Sequence, residues 1–150
     1  MATTAAKTPA SGFSAEERAA MKARAAELRA EGKKGEKKAD ELQACLDAIA
    51  KMVPEDRAIA ERVHATVTAA APQLAPKTWY GMPSYADAGG KVVLYFRDAG
   101  KFKERYSNLG FQDVAHLDDG DMWPIMFALE RWTPAVEKKV AQLVQAAVST

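Results

Sequence analysis

The sequence predicts an α+β fold, a two-layer sandwich in which helices cover one face of an antiparallel meander sheet. Eleven of the twelve aromatic residues lie between Trp79 and Trp132, and six of the nine glycines lie between Gly81 and Gly120. The segments on either side of this centre are rich in alanine, lysine and glutamate, which is typical of helices. Short glycine-containing connections favour antiparallel pairing, and the flanking helices are then expected to pack together on the sheet.

The length and composition fit a single globular domain, since the commonest domains have about 100–150 residues. The net charge of +1 gives no general attraction to nucleic acid or to an anionic membrane, so neither is an expected partner. The single cysteine, Cys45, excludes an internal disulfide and a cysteine-based metal cluster. No apolar run approaches the roughly 18 residues of a membrane span, and the first residues lack a secretory signal, so the cytoplasm is the expected location.

Composition divides the chain into three segments. The first is made of small and polar residues that bury little surface. The second is charged and contains the linker Gly32–Lys38, which is interpreted as a solvated turn, with contact to an acidic partner as the alternative. The predicted division is a disordered tail at 1–13, a helical extension with its linker at 14–38, and an α+β domain at 39–150.

The first helix is predicted at Ala15–Glu31. Ser14 and Glu17 have the spacing of a capping box, in which each side chain bonds the other residue's backbone N–H. Beyond alanines, the apolar face offers only Met21 and Leu28. This helix is therefore expected to be peripheral and to add little to stability.

Two further helices are predicted, at 37–52 and 54–71. Cys45 lies at the edge of the first apolar stripe and is interpreted as a small buried side chain rather than a nucleophile, since no cationic cluster surrounds it. His64 adjoins the second stripe without a histidine one turn away, so a structural or exposed role is expected rather than metal binding. The two stripes are Leu42, Leu46, Ile49 and Met52, and then Ile59, Val63, Val67 and Ala70.

The clearest strand prediction is 91–97, because apolar and polar residues alternate there. Val92, Leu94 and Phe96 are expected to face the helices, while Lys91, Val93, Tyr95 and Arg97 face away. Gly81 indicates a bulge or a left-handed position, Pro83 a strand start, and Gly89–Gly90 a hairpin turn. A second strand is predicted from Phe102, with alternation over 102–107, and Leu109–Phe111 is expected to end it.

The last part of the chain predicts a strand and a helix. Trp123, Ile125, Phe127 and Leu129 mark one buried face of the strand. Thr133 and Pro134 are suited to the N-cap and first position of the helix. The helix is expected to bury Val136, Val140, Leu143, Val144 and Ala147 against the sheet.

Several central motifs resemble the YdhG-like family, a domain of unknown function in the YjbR/CyaY grouping. The resemblance covers about Leu42 to Val148, and Tyr80–Pro83 is its most specific part. It implies a small α+β fold with a curved antiparallel sheet and no settled biochemical activity. By analogy with frataxin-like proteins it also implies an iron-chaperone role. The motifs are Pro76–Pro83, Gly89–Lys91, Val92–Phe96, Phe102–Lys103, Leu109–Phe111 and Met122–Pro124.

A basic and aromatic sheet face is the predicted ligand site. Between Lys77 and Phe111 there are six basic and three acidic residues. Cations donate to anions, and aromatic rings supply contact area, so an anionic or aromatic ligand is expected; a purely structural aromatic core is the alternative. The candidate residues are Trp79, Tyr80, Tyr85, Lys91, Tyr95, Arg97, Lys103, Arg105 and Trp123.

The acidic loop Asp118, Asp119 and Asp121 is the candidate metal site. Oxygen-rich clusters suit hard cations, so iron or another divalent cation is the only cofactor considered. The loop lacks the EF-hand spacing, and a solvated turn is the simpler interpretation.

No sequence motif indicates a reaction, since phosphate loops, nucleophile elbows, HExxH and CxxC are all missing. The predicted function is a non-enzymatic binding module for a small molecule or a protein partner. A metal chaperone is the second interpretation and an enzyme the third, while the sequence does not indicate an oligomeric state.

Overall fold

The structure, a computed structural model, describes residues 12–31 and 38–150, so most of the predicted tail and linker lie outside the described residues. None of the helices in those two ranges is long and apolar enough to span a bilayer. The helices are α1 Ala15–Glu31, α2 Lys38–Ala50, α3 Pro54–Ala70, α4 Ala99–Phe102 and α5 Pro134–Val148. The strands are β1 Ala75–Trp79, β2 Met82–Ala86, β3 Val92–Arg97, β4 Ser107–Phe111 and β5 Met126–Leu129.

The five strands form one antiparallel meander in the order β1-β2-β3-β4-β5. Leu94 pairs with Tyr85 on one side and with Phe111 on the other, so these three side chains share a face. That face packs under α2, α3 and α5, where Val63, Val67 and other aliphatic side chains are fully buried. Full burial of each large side chain in this core contributes about 1.5–3 kcal/mol to stability. The predicted α+β class is therefore confirmed.

The capping residues set the helix ends. Ser14 N donates to Glu17 Oε1 at 3.0 Å and Glu17 N donates to Ser14 Oγ at 3.1 Å, which is the predicted capping box. Thr133 Oγ1 accepts from Val136 N at 3.1 Å at the start of α5. Both helices begin where these local signals predict.

The buried side of α2 differs from the predicted stripe. Leu42 and Leu46 are exposed, while Cys45 is wholly buried between Ile49 and the sheet. A small side chain at this position lets the helix lie close to β1 and β2, and the leucines then point outward. The interpretation of Cys45 as a buried side chain is confirmed, whereas that of Leu42 and Leu46 is wrong.

The strand predicted from Phe102 to Phe111 is confirmed only in its second half, as β4, and its first half is wrong. Asp98 is followed by the short helix α4, and Lys103 ends it in a left-handed conformation with φ +56°. The Lys103 N–H bonds back to Ala99 O and Gly100 O, so the backbone turns away before β4 begins at Ser107. Residues 102–106 therefore alternate in polarity without forming a strand.

The last strand is shorter than predicted. Ile125 lies just before β5 and is half exposed, although Ile125 O accepts from Phe111 N at 2.7 Å. Its predicted place under the last helix is wrong, because β5 is the outer strand and the core helices extend over Phe127 and Leu129 instead.

Candidate functional site

The sheet face opposite the core helices is more closed than the sequence predicts. Tyr95 is only 8% exposed, so its predicted place at the centre of an open face is wrong. The Tyr95 ring lies flat along β4, and a Cβ at Gly110 would overlap it. The Tyr95 hydroxyl reaches Met126 Sδ at 3.8 Å, and the Trp79 ring lies 5.5 Å from the Tyr95 ring.

The cations predicted for this face do not gather around Tyr95. Lys103 and Arg105 are exposed in the connection between α4 and β4, and Lys103 Nζ pairs with Glu16 at 2.7 Å. Arg97 turns to the same end of the sheet, where its side chain lies over the Phe102 ring and bonds Glu104. Arg97, Lys103 and Arg105 therefore do not surround Tyr95, where the sequence predicts them.

Tyr85 lies on the other face of the sheet, inside the core. Its hydroxyl lies 3.0 Å from His64 Nδ1, and the Cys45 thiol lies nearby in the core. Burial, with Cys45 alongside, raises the pKa of Tyr85 well above its usual value. Tyr85 is thus a core residue, and its assignment to the ligand face is wrong.

A cleft beside Trp79 does bring two of the candidate residues together. Its volume is about 270 Å³, and Trp79 and Lys91 both line it. Trp123, by contrast, does not line this cleft. Tyr80 does not line it either, but its ring lies edge-on to the Trp79 ring, with 4.9 Å between the centroids. The described residues that line it are Arg24, Lys77, Trp79, Gly90, Lys91, Val92, Gln112, Asp113 and Val114.

Three separate elements supply the cations of the cleft. Lys77 comes from β1 and is only 8% exposed, so it forms the floor. Arg24 comes from α1 and is half-buried, while Lys91 is exposed at the rim. Among the described residues that line the cleft, there are three positive side chains and one carboxylate, Asp113.

Two tight turns hold the aromatic and rim residues in place. Trp79 pairs with Met82, so Tyr80 and Gly81 form a two-residue turn, and their φ values of +55° and +77° are those of a hairpin turn of the left-handed type. At the other turn, Asp87 Oδ1 accepts from Lys91 N at 2.9 Å. The backbone that carries Lys91 is therefore fixed at the mouth of the cleft.

The arrangement suits a small anion. Arginine and lysine form short charge-assisted hydrogen bonds with carboxylate or phosphate oxygens, and a partly exposed indole ring gives apolar contact beside them. A volume of about 270 Å³ is just below the range of about 300–1,000 Å³ that small-molecule sites occupy. The size favours a ligand with one charged group and at most one ring.

Sequence reasoning missed Arg24 and counted Lys77 only as part of the basic stretch. Arg24 lies on a helix whose thin apolar face predicts a peripheral position. The alternation of β1 could have placed Lys77 and Trp79 on the same face, because they are two residues apart in the strand.

Other cavities carry less specific chemistry. A groove of about 850 Å³ between α3 and α5 is lined mainly by alanine and threonine side chains, and its charges include both Glu137 and Lys138. A cleft of about 480 Å³ between α1 and α2 combines Lys51 and Lys101 with Glu27 and Asp98. The described lining has two cations, Arg62 and Lys138, against one carboxylate in the groove, and two cations against two carboxylates in the cleft between α1 and α2.

The acidic loop offers no assembled metal site. Asp118, Asp119 and Asp121 are all exposed. Across residues 12–31 and 38–150, no three histidine, cysteine, aspartate or glutamate side chains are placed to hold one ion. The iron-chaperone interpretation therefore gains no support from this loop.

Comparisons of the chain with protein-family models, curated proteins and solved structures found no match. The resemblance to the YdhG-like family therefore stays a prediction made from the central motifs.

Proposed function

We propose that the protein is a cytoplasmic binding module of the YdhG-like type, without catalytic chemistry of its own, and that its ligand is a small organic anion. The observation that carries the proposal is the cleft itself. Three cations from α1, β1 and the β2–β3 turn line it together with Trp79, although the chain as a whole has a net charge of only +1.

The geometry sets the expected strength of binding. A hydrogen bond that involves a charged group contributes about 1.5–3 kcal/mol. Two or three such bonds, reduced by the cost of immobilising the ligand, correspond to dissociation constants of roughly micromolar to millimolar. We therefore expect measurable but moderate affinity, which suits an accessory module.

Benzoate is the first probe, because it joins one carboxylate to one ring. Calorimetry at about 10 mM ionic strength, where screening is weak, is expected to show saturable binding of benzoate. Benzamide has the same shape without the charge and is expected not to bind. Equal binding of benzamide and benzoate would show that the cations do not recognise the ligand.

Variants locate the binding to the cleft. Lys77→Met keeps the buried aliphatic stem and removes the charge, and Lys91→Ala removes the rim cation. Each is expected to weaken the affinity for benzoate by about tenfold. The loss of one charge-assisted hydrogen bond costs about 1.4 kcal/mol, which corresponds to that factor. Lys22→Ala changes the net charge equally at an exposed position of α1 outside the cleft and is the matched control. An equal loss in the control would contradict the site.

A second candidate function, binding of a protein partner, is favoured by the outer strand β5. Phe111 N bonds Ile125 O, so the alternating pattern turns the backbone groups of Met126 and Ala128 away from β4. Met122 is 89% exposed and Met126 is 52% exposed at the same edge. An exposed edge with apolar side chains can accept an extended strand from a partner.

The edge can be tested without knowing the partner. Ala128→Lys places a charge on β5 at an exposed position. If the edge receives an apolar strand, this variant is expected to lose partners captured by the parent protein from a cell extract, while benzoate binding is unchanged. A parent protein that captures nothing beyond what Ala128→Lys captures would remove the candidate.

A further inference from the structure

Helix α1 lies beside the anion cleft with very little apolar contact to hold it there. Among its described side chains only Ala20 is buried, and both Met21 and Leu28 are exposed. Hydrophobic burial alone therefore does not define where along the sheet, or at which rotation, this helix sits. A polar contact is needed to fix its position.

Glu16 pairs with Lys103 near the start of α1, and Glu27 supplies a contact near its end. The Glu27 carboxylate accepts from Tyr80 N and from Gly81 N, each at 2.9 Å. Both N–H groups belong to the two-residue turn between β1 and β2, where positive φ values present them to the same side. Two charge-assisted bonds to adjacent backbone groups fix both distance and rotation, which one bond would not do.

The same carboxylate also sets the place of Arg24. Arg24 Nη1 lies 3.5 Å from Glu27 Oε1, one turn away on the helix, and the guanidinium lies 5.8 Å from the Tyr80 ring. Arg24 lines the cleft with Lys77 and Trp79, while Glu27 does not. Glu27 thus bonds the turn that follows Trp79. It also contacts Arg24, whose guanidinium lies over the Tyr80 ring of that turn.

We infer that Glu27 is a positioning residue for the anion cleft: it fixes α1 on the β1–β2 turn and so delivers Arg24 to the ligand. The inference rests on the proposed function, because it assumes that the cleft binds an anion. It gives α1, which the sequence presents as a peripheral extension, a direct part in the site. It also predicts that Glu27 matters only while Arg24 is present.

A double-mutant cycle tests this dependence with benzoate as the probe. Glu27→Ala is expected to weaken the affinity for benzoate at least about fivefold in the parent protein. In the Arg24→Gln background the same change is expected to weaken it by less than about twofold, because the effects of coupled residues do not add. Glu61→Ala, an exposed carboxylate on α3, is the matched control for the change in charge. The same loss in both backgrounds, or no loss in the parent, would overturn the inference.

Amide exchange separates this inference from the proposed function. Glu27→Ala is expected to speed exchange at Tyr80, at Gly81 and along α1, whether or not benzoate binds, whereas Arg24→Gln is expected to leave Tyr80 and Gly81 protected. If the parent binds no benzoate, the proposed function fails. If exchange at the turn is unchanged in Glu27→Ala, the positioning role fails by itself.

Discussion

His64 Nδ1 lies 3.0 Å from the Tyr85 hydroxyl oxygen, and this contact joins α3 to β2 through the core. The rings are 5.8 Å apart between centroids and tilted by 40°. Cys45 approaches the same hydroxyl from α2, so one tyrosine connects two helices to the sheet. Burial lowers the pKa of His64 and raises that of Tyr85, so both groups are held in their neutral forms.

The first prediction is that His64 makes the fold less stable in mild acid. Because its pKa is lower in the folded state than the usual value of about 6.5, the unfolded chain binds the proton more readily. Stability is then fully present above about pH 6.5 and falls as the pH decreases through the folded pKa. Chemical denaturation between about pH 7 and pH 5 measures this slope, and His64→Gln is expected to flatten it.

His116 provides the control for this prediction, since it is exposed in the loop after β4. His116→Gln is expected to leave the slope unchanged. Equal slopes in the parent and in His64→Gln would mean that His64 does not cause the acid sensitivity.

At the alkaline end, the raised pKa of Tyr85 gives the change of stability with pH the opposite sign, and stability is lost as the pH rises above about 10.

The second prediction concerns the reactivity of Cys45. Burial raises the pKa of its thiol to about 11 and leaves no exposed surface, so thiolate is scarce and inaccessible in the folded protein. Alkylation by iodoacetamide at neutral pH is expected to be slow in the native state and fast in denaturant. Rapid modification of the native protein, followed by mass spectrometry, would contradict the burial of this side chain.

The parts of the fold that the sequence predicts well depend on local chemistry. Ser14 with Glu17 and Thr133 with Pro134 mark helix starts, because a cap needs only residues within one turn. Gly90, with φ +85°, marks the predicted hairpin for the same kind of reason. These signals act over three or four residues, so one sequence is enough to interpret them.

The errors come from contacts between distant residues. The alternation at 102–107 predicts a strand, but Lys103 ends α4 in a left-handed conformation and the ring of Phe102 stacks under Arg97. The open face around Tyr95 is closed because Gly110, fifteen positions later, leaves room for its ring. A pattern of polar and apolar residues along the chain does not show which distant side chains will contact each other.

The candidate site shows the same division. The sequence assigns Trp79 and Lys91 to one ligand face, and both do line the cleft. Arg24 comes to that cleft from α1, and Glu27 on the same helix bonds a turn 53 and 54 positions later in the chain. A contact of that separation leaves no periodic signal in the sequence.

The third prediction contrasts two residues that the sequence assigns to one ligand face. Tyr95→Ala is expected to destabilise the protein by about 3–5 kcal/mol, because it empties a buried aromatic position. Arg105→Ala is expected to change stability by less than about 0.5 kcal/mol, since Arg105 is exposed away from the cleft. Denaturant melts of the two single variants decide between a core and a surface role, and a small effect of Tyr95→Ala would restore the open-face interpretation.

The fourth prediction concerns the close contact between Tyr95 and Gly110. A Cβ at Gly110 would overlap the Tyr95 ring, so Gly110→Ala must displace that ring or bend β4. Overpacking of this kind costs about 1–3 kcal/mol. The unfolding midpoint in denaturant measures the loss. Gly89→Ala is the control, because a Cβ there would meet only an ordinary contact, at 3.5 Å from Asp87 Oδ1.

A second substitution tests whether the Tyr95 ring causes that loss. If the overlap is the cause, Gly110→Ala is expected to cost much less in a Tyr95→Val background, since valine cannot extend across β4. The two changes are in contact, so their effects are expected to be non-additive by about 0.5–3 kcal/mol. Additive effects would mean that Gly110 is required for another reason, such as the backbone of β4 itself. The Trp79 ring lies 5.5 Å from the Tyr95 ring, so a displaced Tyr95 ring is also expected to weaken benzoate binding in Gly110→Ala.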